Sequence, residues 1–358
     1  MRKYYIDTID ITKYVSSYYD ITEKSNHAGD SLLSVENFNL ELFNYEDIFN
    51  FKSDNSIFWS RDILESYFYI YENELLIYSG LVVNLEVDVS KNVCNIETVN
   101  ILNKLLDRTL IYISDDFYTP ADIIYQILDT NFLIEYLDLH SWQYSKNIEI
   151  DNNFAIKINY NLESTTDILS VLRDIAGLSG ASIFFNAGKI YYWHNSIIDN
   201  AELEVQEIES KYIIGNIKFY NDYENIKNQY SYTITVATIP ISLSDVYIAP
   251  ESRLKYGVRS YNNFDLTTGK NIEASAGSVI GLQDIGTEKI NITKNPIQYL
   301  EFEYDWSRYN FPLYINQLFK FSSTIASIEP TLTNTVFQII SIQKSKYTVK
   351  IVAMLILS

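Results

Sequence analysis

The sequence holds little of what many enzyme sites are built from. Among 358 residues there is one cysteine, Cys94, and there are eleven glycines and three histidines. A single cysteine excludes an intrachain disulfide and a thiolate metal cluster. The glycines occur singly and form no phosphate-binding loop, and no GxSxG motif is present. His27, His140 and His194 are far apart in the sequence and show no metal-ligand spacing, so no metal and no cofactor are expected.

Basic residues are also few. Lys and Arg number 27 against 46 Asp and Glu, which gives a net charge of −19. Sequence-independent nucleic-acid binding depends on Lys and Arg that neutralise phosphates, so this class of protein is excluded. The acidity fits a well-solvated surface, or acidic groups that line a passage through which polyanions slide without sticking.

Long apolar runs are missing as well. No stretch approaches the ~20 apolar residues of a membrane-spanning helix, so stable membrane insertion is not expected. The first residues, Met1 to Asp7, contain no apolar core of a signal peptide. The apolar tail Ile351–Leu357 is too short to span and is interpreted as a buried closing strand. We therefore expect synthesis in a cytoplasm.

What the sequence does have is strand-forming residues. The 31 tyrosines, with many Ile, Val and Phe, favour a mainly β protein. The clearest pattern lies at residues 81–89, where apolar residues alternate with Asn84, Glu86 and Asp88. This period of two predicts a strand with one face in a core and the other in water. A turn at 90–92 returns it into Val93–Ile101, and several such strands predict a barrel or a sandwich.

The middle block, residues 106–205, reads as α+β. Thr119 and Pro120 begin a predicted helix as N-cap and first-turn proline. Ser164 and Asp167 have capping-box spacing before a second helix, and Gly177 and Gly180 are expected to end it with positive φ. Two strand runs then surround residues 186–189 as a hairpin.

Strand character returns after residue 206. Alternation at 230–236 predicts a strand, and 241–294, rich in Ser, Thr, Asn and Gly, reads as an inserted subdomain. The closing hairpin, 334–357, echoes residues 75–101 in pattern: two long strands, a polar turn and an apolar return.

Carboxylate pairs are the remaining enzyme candidates, because a glycosidase needs only two. Three groups are conceivable: Asp62 with Glu65, Asp115 with Asp116, and Glu301 with Glu303 and Asp305. The last three share one face of a predicted strand and are interpreted as acids in solvent or in a lumen. Three groups of aromatic residues are candidate sugar-stacking surfaces: Tyr18–Tyr19, Tyr67–Tyr69–Tyr71 and Tyr191–Tyr192–Trp193. Alternation places some of these rings inward.

Four sets of motifs, taken in order, resemble the baseplate or tail-tip hub proteins of tailed bacteriophages and phage-derived particles. They are "IDITKYVSSYYDI" with "FNLELFN"; "YSG", "VVNLEVDV" and "LNKLLDR"; "YTPADIIYQILD" with "STTDILSVLRDIAGLSGASIFF" and "NAGKIYYW"; and "NIKFYNDYENIKNQYSYT", "SRLKYGVRSY" and "FQIISIQKSKYTVKIVAML". The likeness spans nearly the whole chain.

This resemblance implies two tail-tube-like antiparallel β-barrel domains with peripheral αβ domains. The first barrel would be residues 1–105, and 106–205 the peripheral α+β domain. The second barrel would join 206–240 to 295–358, with 241–294 inserted. Three chains with two barrels each would then match a sixfold tube above and a threefold spike or fibre below.

The implied function is structural: a homotrimeric hub at the tail tip of a virion or phage-like particle, with no enzymatic activity. Its partners would be the tail tube or distal tail protein and a spike or fibre protein, with a tape measure protein as a further candidate. DNA or other cargo would be present only in transit. Asn84, Glu86 and Asp88 are the candidate lumen-facing residues. Any lytic activity would belong to a separate protein.

Three alternatives remain open at this point. A distal tail ring protein is tube-like and hexameric, with one barrel per chain. A baseplate protein that binds host glycans would use the tyrosine-rich surfaces. An enzyme acting on cell-wall polysaccharide would use Glu301 and Asp305.

Overall fold

The computed structural model describes most of the chain, namely residues 2–16, 21–24, 37–50, 53–58, 63–105, 108–160, 167–186, 188–194, 205–236, 239–260, 264–265, 272–275, 287, 290–291, 293–305, 317–321, 335–345 and 348–357. The described strands are, in chain order, β1 (Arg2–Ile6), β2 (Ile9–Asp10), β3 (Ile21–Lys24), β4 (Asn37–Phe43), β5 (Tyr67–Glu72), β6 (Leu75–Asp88), β7 (Val93–Asn100), β8 (Tyr112–Ile113), β9 (Ile156–Tyr160), β10 (Ala181–Asn186), β11 (Lys189–His194), β12 (Gln206–Ile208), β13 (Ile213–Asp222), β14 (Gln229–Val236), β15 (Ile239–Ile248), β16 (Phe264–Asp265), β17 (Ile272–Ala274), β18 (Ile297–Asp305), β19 (Leu318–Phe321), β20 (Val336–Lys344) and β21 (Thr348–Leu357).

Helices are fewer and shorter. The α-helices are α1 (Pro120–Thr130), α2 (Leu139–Asp151), α3 (Ile168–Ser179) and α4 (Pro250–Tyr256), and short 3-10 turns occupy Thr12–Tyr14, Tyr45–Asp47, Ile101–Leu105, Ile134–Tyr136 and Ser210–Tyr212. None of the helices in the described ranges is long and apolar enough to cross a membrane. The mainly β architecture with α+β additions is confirmed.

Two curled, mainly antiparallel sheets form the two ends of the chain. The N-terminal sheet has the order β2-β1-β5-β6-β7-β4, and the C-terminal sheet has the order β12-β19-β20-β21-β18-β13. In each sheet, three strands that follow one another in the sequence lie side by side at the centre. Two strands from earlier in the chain flank them, one on each side. Thus β1, β4, β5, β6 and β7 correspond in order to β12, β18, β19, β20 and β21. One pair differs in direction, since β12 runs parallel to β19 whereas β1 runs antiparallel to β5.

The predicted echo between residues 75–101 and 334–357 falls on corresponding hairpins, β6–β7 and β20–β21. In both, the first strand carries one extra residue opposite the second. Val82 pairs with Thr98 and Asn84 with Glu97, which leaves Val83 as the bulged residue. Ile339 pairs with Ala353 and Ser341 with Val352, which leaves Ile340 in the same role. A bulge increases local twist, so both hairpins bend their sheets at a similar place.

The bulge at Val83 corrects the predicted alternation at 81–89. Leu81 lies in the core of the middle block, whereas Val82, Leu85 and Val87 contact the N-terminal core. Val83 is 36% exposed, because the extra residue resets which side chains face inward. Gly80, just before this stretch, pairs regularly with Phe68 and Asn100, so the bulge does not lie at the glycine.

Each curled sheet encloses its own apolar core. The N-terminal core contains Tyr4, Leu40, Phe68 and Ile96, and the C-terminal core contains Phe302, Phe319 and Ile351, among others. In the N-terminal sheet the two edges approach each other: the Ser16 N–H donates to the Glu41 carbonyl oxygen (3.0 Å), and Val15 bridges to Leu42 of β4. In the C-terminal sheet the edge strands β12 and β13 are joined by the turn at Ser210–Tyr212.

The middle block is built from α1, α2, α3, the β10–β11 hairpin and a third sheet of order β15-β14-β17-β9-β8. Thr119 is the N-cap of α1, as predicted, and its side chain accepts from the Asp122 N–H. Asp167, and not Ser164, is the N-cap of α3; residues 161–166 lie outside the described ranges. Gly180 ends α3 with φ 71°, as predicted, whereas Gly177 lies inside the helix.

One strand belongs to a different sheet from the one predicted. Residues 229–236 were assigned to the second barrel, but β14 pairs with β15, β16 and β17 in the third sheet. The chain leaves the C-terminal sheet after Asp222. Six residues later Asn228 is buried, and its backbone N–H donates to the Arg259 carbonyl oxygen (2.8 Å). Alternation identified the strand correctly but carries no information on its partners.

Candidate functional site

The N-terminal sheet carries an acidic face on the side opposite its core. We define the acidic face as Asn39 and Glu41 of β4, Asn84 and Glu86 of β6, and Asn95 and Glu97 of β7. Together with Leu40 and Ile96 these residues line one shallow cavity. The side chains of the intervening residues Leu40, Leu85 and Ile96 contact the apolar core on the other side of the sheet. The pleat of the three strands therefore separates an apolar side from a polar one.

Register arranges this face as a checkerboard. In one row Asn39 pairs with Glu97, which pairs with Asn84. In the next row Glu41 pairs with Asn95, which pairs with Glu86. No two carboxylates of these six residues are direct cross-strand partners, an arrangement that avoids the destabilising opposition of like charges. These six positions contain three carboxylates and no basic residue.

The three predicted site residues are divided by the structure. Asn84 and Glu86 lie side by side on the acidic face and are exposed. Asp88 instead organises the turn after β6, where its carboxylate accepts from the Ser90 N–H (3.0 Å), the Ser90 hydroxyl (2.6 Å) and the Lys91 N–H (3.2 Å). These hydrogen bonds, chiefly that of the Ser90 hydroxyl, lower the pKa of Asp88 to about 2. Sequence reasoning missed Asn39, Glu41, Asn95 and Glu97, because only strand pairing brings them beside β6.

The corresponding face of the C-terminal sheet is charge-compensated. Glu301 of β18 lies 3.1 Å from the Lys350 ammonium group and 3.3 Å from that of Lys218. The Thr348 hydroxyl donates to Glu303 (2.9 Å). The hydrogen bond from Lys350, followed by that from Lys218, lowers the pKa of Glu301. An ionised, lysine-paired carboxylate is poorly suited to act as the general acid of a glycosidase.

The other carboxylate and nucleophile candidates have ordinary structural surroundings. The Tyr118 hydroxyl donates to Asp115 (2.6 Å) and lowers the pKa of that carboxyl group. Burial raises the pKa of the Cys94 thiol to about 12, so it is not a reactive thiolate. His194 is buried, while Asp62 and His27 lie outside the described ranges. Within those ranges, no group of three His, Cys, Asp or Glu side chains could hold a metal ion.

Among the described carboxyl groups, Glu149 of α2 has the largest upward pKa shift. Burial raises its pKa to about 8, against hydrogen bonds from the Tyr192 hydroxyl (2.5 Å) and the Ala121 N–H (2.8 Å) that act in the other direction. Ala121 is in the first turn of α1, so Glu149 satisfies a helix N-terminus from a neighbouring helix. The group thus connects α1, α2 and the β10–β11 hairpin inside the middle block.

The tyrosines of the described groups contact other rings or are buried. Tyr67 stacks with Tyr69 (6.1 Å, 13°) and with Tyr136 (6.4 Å, 27°), and the Lys104 ammonium group lies 4.7 Å from its ring centre. Tyr192 is buried, and Trp193 is 9% exposed. The Tyr67 ring is thus contacted by two other rings and by an ammonium group, which compete with a sugar for its faces. Tyr18 and Tyr19 lie outside the described residues.

Two turns repeat both a sequence and a geometry. Thr12-Lys13-Tyr14 follows β1 and β2, and Ser210-Lys211-Tyr212 follows β12; both are single 3-10 turns. The Lys13 ammonium group lies 4.7 Å from the Tyr14 ring centre, and that of Lys211 lies 4.8 Å from the Tyr212 ring centre. After each turn the chain pairs with the far edge of its own sheet, Val15 with β4 and Ile213 with β18. The two ends of the chain therefore repeat in connectivity as well as in strand order.

Comparison with solved structures identifies the fold. A tail protein from Neisseria meningitidis MC58 superposes with a TM-score of 0.58 at 9% identity, over 99% of this chain and 95% of its own. The 43 kDa tail protein of prophage MuSo2 from Shewanella oneidensis has a TM-score of 0.54 at 10% identity, over 99% and 97%. The E. coli c3393 protein, a type VI secretion component described as structurally similar to T4 bacteriophage tail proteins gp27 and gp5, has a TM-score of 0.50 at 9% identity, over 98% and 76%.

The chain thus has the fold of phage tail proteins along its whole length, which confirms the resemblance drawn from its motifs. At these identities the likeness is one of fold. No protein-family model matches the sequence, and no curated protein does.

Proposed function

We propose that this protein is the structural hub of a phage-type tail tip or baseplate. In this role it joins the sixfold tail tube to a threefold spike or fibre and forms part of the channel for DNA or cargo. The role is structural and not enzymatic. Its place is the tail tip of a virion or phage-like particle, assembled in the cytoplasm of the bacterial host.

The observation that carries the proposal is the repeated strand order of the two sheets. A hub that continues a sixfold tube with three subunits needs two tube-like units in each chain. Here β1, β4, β5, β6 and β7 are repeated by β12, β18, β19, β20 and β21. The paired Thr-Lys-Tyr and Ser-Lys-Tyr turns support the same duplication. Three chains would supply six such units, and closed cyclic assembly is the common arrangement for homo-oligomers.

We assign the first tube-like unit to residues 1–105 and the second to 206–222 with 295–358. Residues 106–205, together with β14 and the 241–294 insertion, would lie at the periphery. The flat ends of such a ring would contact the tail tube or distal tail protein on one side and a spike or fibre on the other. A tape measure protein is a further partner if it ends inside the channel.

We assign the acidic face to the channel wall. A wall with negative potential repels DNA phosphates, so the polymer passes without being held. Glu41, Glu86 and Glu97 supply this charge in the N-terminal unit, whereas the Lys218–Glu301–Lys350 group leaves the C-terminal unit close to neutral. Such a ring would alternate between three acidic and three near-neutral sectors.

Counting subunits in an image of the assembled ring tests the proposal. Three copies, each contributing two similar densities, are expected. Six copies with one tube-like unit each would favour a distal tail ring protein and overturn the hub assignment. Mass photometry of the purified assembly gives the same count independently.

A further inference from the structure

A strained turn at the end of α1 presents a phenylalanine ring to solvent. Phe132 is 83% exposed, and its φ is +57°. A bulky residue rarely adopts this backbone conformation, and such strain persists only where the surrounding structure holds it, often at functional positions. Here the Phe132 N–H donates to the Asp129 carbonyl oxygen (3.0 Å), and the Leu133 N–H donates to that of Leu128 (2.8 Å). The turn thus holds the ring outside the core, where it can contact a partner.

The surroundings of this ring are apolar and acidic. α1 and α2 are joined by a short connection and run antiparallel, with the Tyr125 and Trp142 rings in contact (5.1 Å). Asp129 lies one turn after Tyr125 and Leu139 one turn before Trp142, so both are at the same end of the helix pair as the turn. Both are exposed, Leu139 by 59%. We define the tip as Asp129, Phe132 and Leu139.

A cavity of about 630 Å³ lies beside α4, at the other end of the sequence from the tip's helices. Ile290 in its wall is buried, and Ile248 is 36% exposed. Leu254 is 89% exposed and lies one helical turn after Pro250, a lining residue, so the two share a face of α4. We define the socket as this cavity, with Ile248, Pro250, Ser252, Ile290 and Lys294 in its lining and Leu254 beside it. A concave site with apolar walls and a few polar groups is the usual form of a binding pocket.

The socket is basic where the tip is acidic. The Lys294 ammonium group donates to the neutral side chain of Asn291 (2.9 Å). Arg253 and Lys255 flank the exposed leucine, and residues 252–259 contain three basic residues and no acidic one. Glu251 is the one carboxylate among the described lining residues. By contrast, residues 126–145 around the tip contain no Lys or Arg. The two surfaces are therefore complementary in charge.

We propose that the tip of one copy docks in the socket of the next copy, with the Phe132 ring inside the cavity. This inference rests on the proposed ring and names a contact between its subunits. The occupant is a second copy of this chain because one molecule carries both surfaces, which are opposite in charge and exposed in the single chain. Contacts between unlike surfaces run head to tail, and they close into a ring when the rotation between copies allows it.

The strained turn and the position of both surfaces fit this contact. A large ring enclosed in a desolvated pocket can carry much of the binding energy of an interface. Because the turn already holds the Phe132 ring outward, little conformational freedom is lost on docking. The tip belongs to residues 106–205 and the socket lies chiefly in 241–294, both assigned to the periphery of the ring. The contact would therefore lie outside the channel and leave the acidic face open to the lumen.

Phe132→Gly separates this contact from the fold. Glycine adopts positive φ without steric strain, which offsets its greater freedom in the unfolded chain, so the melting temperature should change little. The ring should weaken. Its dissociation constant, measured by mass photometry of the full chain over a dilution series, should rise roughly tenfold or more. Ile150→Ala is the matched control, since Ile150 is 51% exposed at the other end of α2, and it should leave the dissociation constant unchanged.

Charge exchange tests whether the socket is the partner of the tip. Asp129→Lys should weaken the ring, because it places a cation opposite the basic residues of the socket. Combining it with Lys294→Glu or with Arg253→Glu should restore part of the affinity, since an opposite pair is formed again. Both combinations are needed because either cation can face Asp129. Glu207→Lys, exposed on β12, is the control reversal and should leave the ring unchanged.

Each outcome bears on one of the two proposals. Rings of wild-type strength in Phe132→Gly would overturn this inference and leave the hub proposal standing. A ring weakened by Asp129→Lys that neither second reversal restores would overturn the socket as the partner of the tip. Six copies in the wild-type ring, with the same variant effects, would support the contact and overturn the threefold hub. An equal loss of affinity in the Ile150→Ala control would show a general effect of exposed apolar groups and also overturn the contact.

Discussion

The Tyr192 hydroxyl lies 2.5 Å from the Glu149 carboxyl group, and both side chains are buried between α2 and the β10–β11 hairpin. Ser179 at the end of α3 is 2.5 Å from the same hydroxyl, and its own hydroxyl donates to the Ala176 carbonyl oxygen (3.0 Å). Glu149 also accepts from the Ala121 N–H of α1. This line of polar groups therefore connects α1, α2 and α3, the three helices that precede the hairpin. Its protonation should therefore affect the stability of the whole block.

Replacing Glu149 with Gln should change how stability depends on pH. Burial raises the pKa of Glu149 from 4.5 to about 8. The folded protein then holds a proton that the unfolded chain releases, so stability falls as pH rises from about 4.5 to about 8, by at most roughly 1.4 kcal/mol per pH unit from this group. In Glu149→Gln the amide oxygen can accept from the Ala121 N–H, and the NH₂ group faces the Tyr192 hydroxyl, which can accept from it instead of donating as it does to Glu149.

Denaturant unfolding at a series of pH values measures the effect. The variant should match the wild type near pH 5 and exceed it near pH 8, while Glu207→Gln on an exposed strand should follow the wild-type curve. A Glu149→Gln curve parallel to the wild type would show that this carboxyl group is ionised in the folded protein.

Removing Arg2 should strongly destabilise the protein. Its side chain is fully buried, its Nε donates to Glu72 (2.7 Å), and its Nη2 donates to the Ser345 carbonyl oxygen in the β20–β21 turn (3.5 Å). Breaking a buried ion pair from one side leaves the other charge uncompensated and typically costs about 3–5 kcal/mol. Arg2→Met should reach this range, measured as the free energy of unfolding.

Adding Glu72→Gln to that variant should recover part of the loss, because the stranded charge is then removed. Lys91→Met, which breaks the exposed pair with Asp88, is the control and should change stability by less than about 1 kcal/mol. A loss for Arg2→Met as small as this control would contradict the buried pair as a stabilising link between the two sheets.

Gly80→Ala should destabilise the N-terminal sheet through a backbone contact. A Cβ atom at this position would lie 2.4 Å from the Val99 carbonyl oxygen, which belongs to the paired strand and cannot rotate away. We expect a loss of roughly 1–3 kcal/mol, in the range of overpacked cores. Gly215→Ala is the comparison: nothing lies within 4 Å of its Cβ, and its φ of +74° alone costs roughly 1 kcal/mol. Equal melting temperatures for the two variants would rule out the steric cause.

Reversing charge on the acidic face should slow delivery without preventing assembly. Glu86 and Glu97 are the positions of choice. Asp88 stabilises the β6–β7 turn, so replacing it would affect folding as well as the passage of DNA or cargo. Particles with Glu86→Lys and Glu97→Lys should assemble normally and deliver DNA or cargo more slowly, since added cations bind phosphates. Matched reversals off the face, Glu135→Lys and Glu207→Lys, should leave delivery rates unchanged. Wild-type delivery by the Glu86/Glu97 variant would argue against the channel assignment.

The sequence predicted the elements whose buried face is apolar and missed one whose buried face is polar. The N-cap Thr119 and an apolar face predict α1, and an apolar face followed by Gly180 predicts α3. α2 was not, because the residues it buries are Ser141, Ser145 and Glu149, one per turn. The Ser145 hydroxyl donates to the Tyr192 carbonyl oxygen (2.9 Å) and accepts from the His194 N–H (2.8 Å), so this helix satisfies a strand edge instead of filling a core. Hydrophobic periodicity carries no signal for such a helix.

The acidic face was predicted only along one strand. Alternation gives the side on which Asn84 and Glu86 lie, but the two rows with Asn39, Glu41, Asn95 and Glu97 depend on register between strands distant in sequence. The bulge at Val83 likewise leaves no mark in the alternation. The Lys-Tyr pair of the two turns, at residues 13–14 and 211–212, also occurs at residues 255–256 with the ammonium group over the ring, so in the sequence it does not by itself mark the two ends as related.

The crossing of β3 to β20 has a consequence for how the molecule can be divided. A segment that precedes most of the N-terminal sheet is hydrogen-bonded into the C-terminal one, and Arg2 reaches the same turn. Cutting the chain between its halves would take β3 and the Arg2 side chain away from the C-terminal sheet, and would leave both of them without their C-terminal partners. The two halves therefore depend on each other, and a domain boundary drawn along the sequence does not mark a place where they come apart.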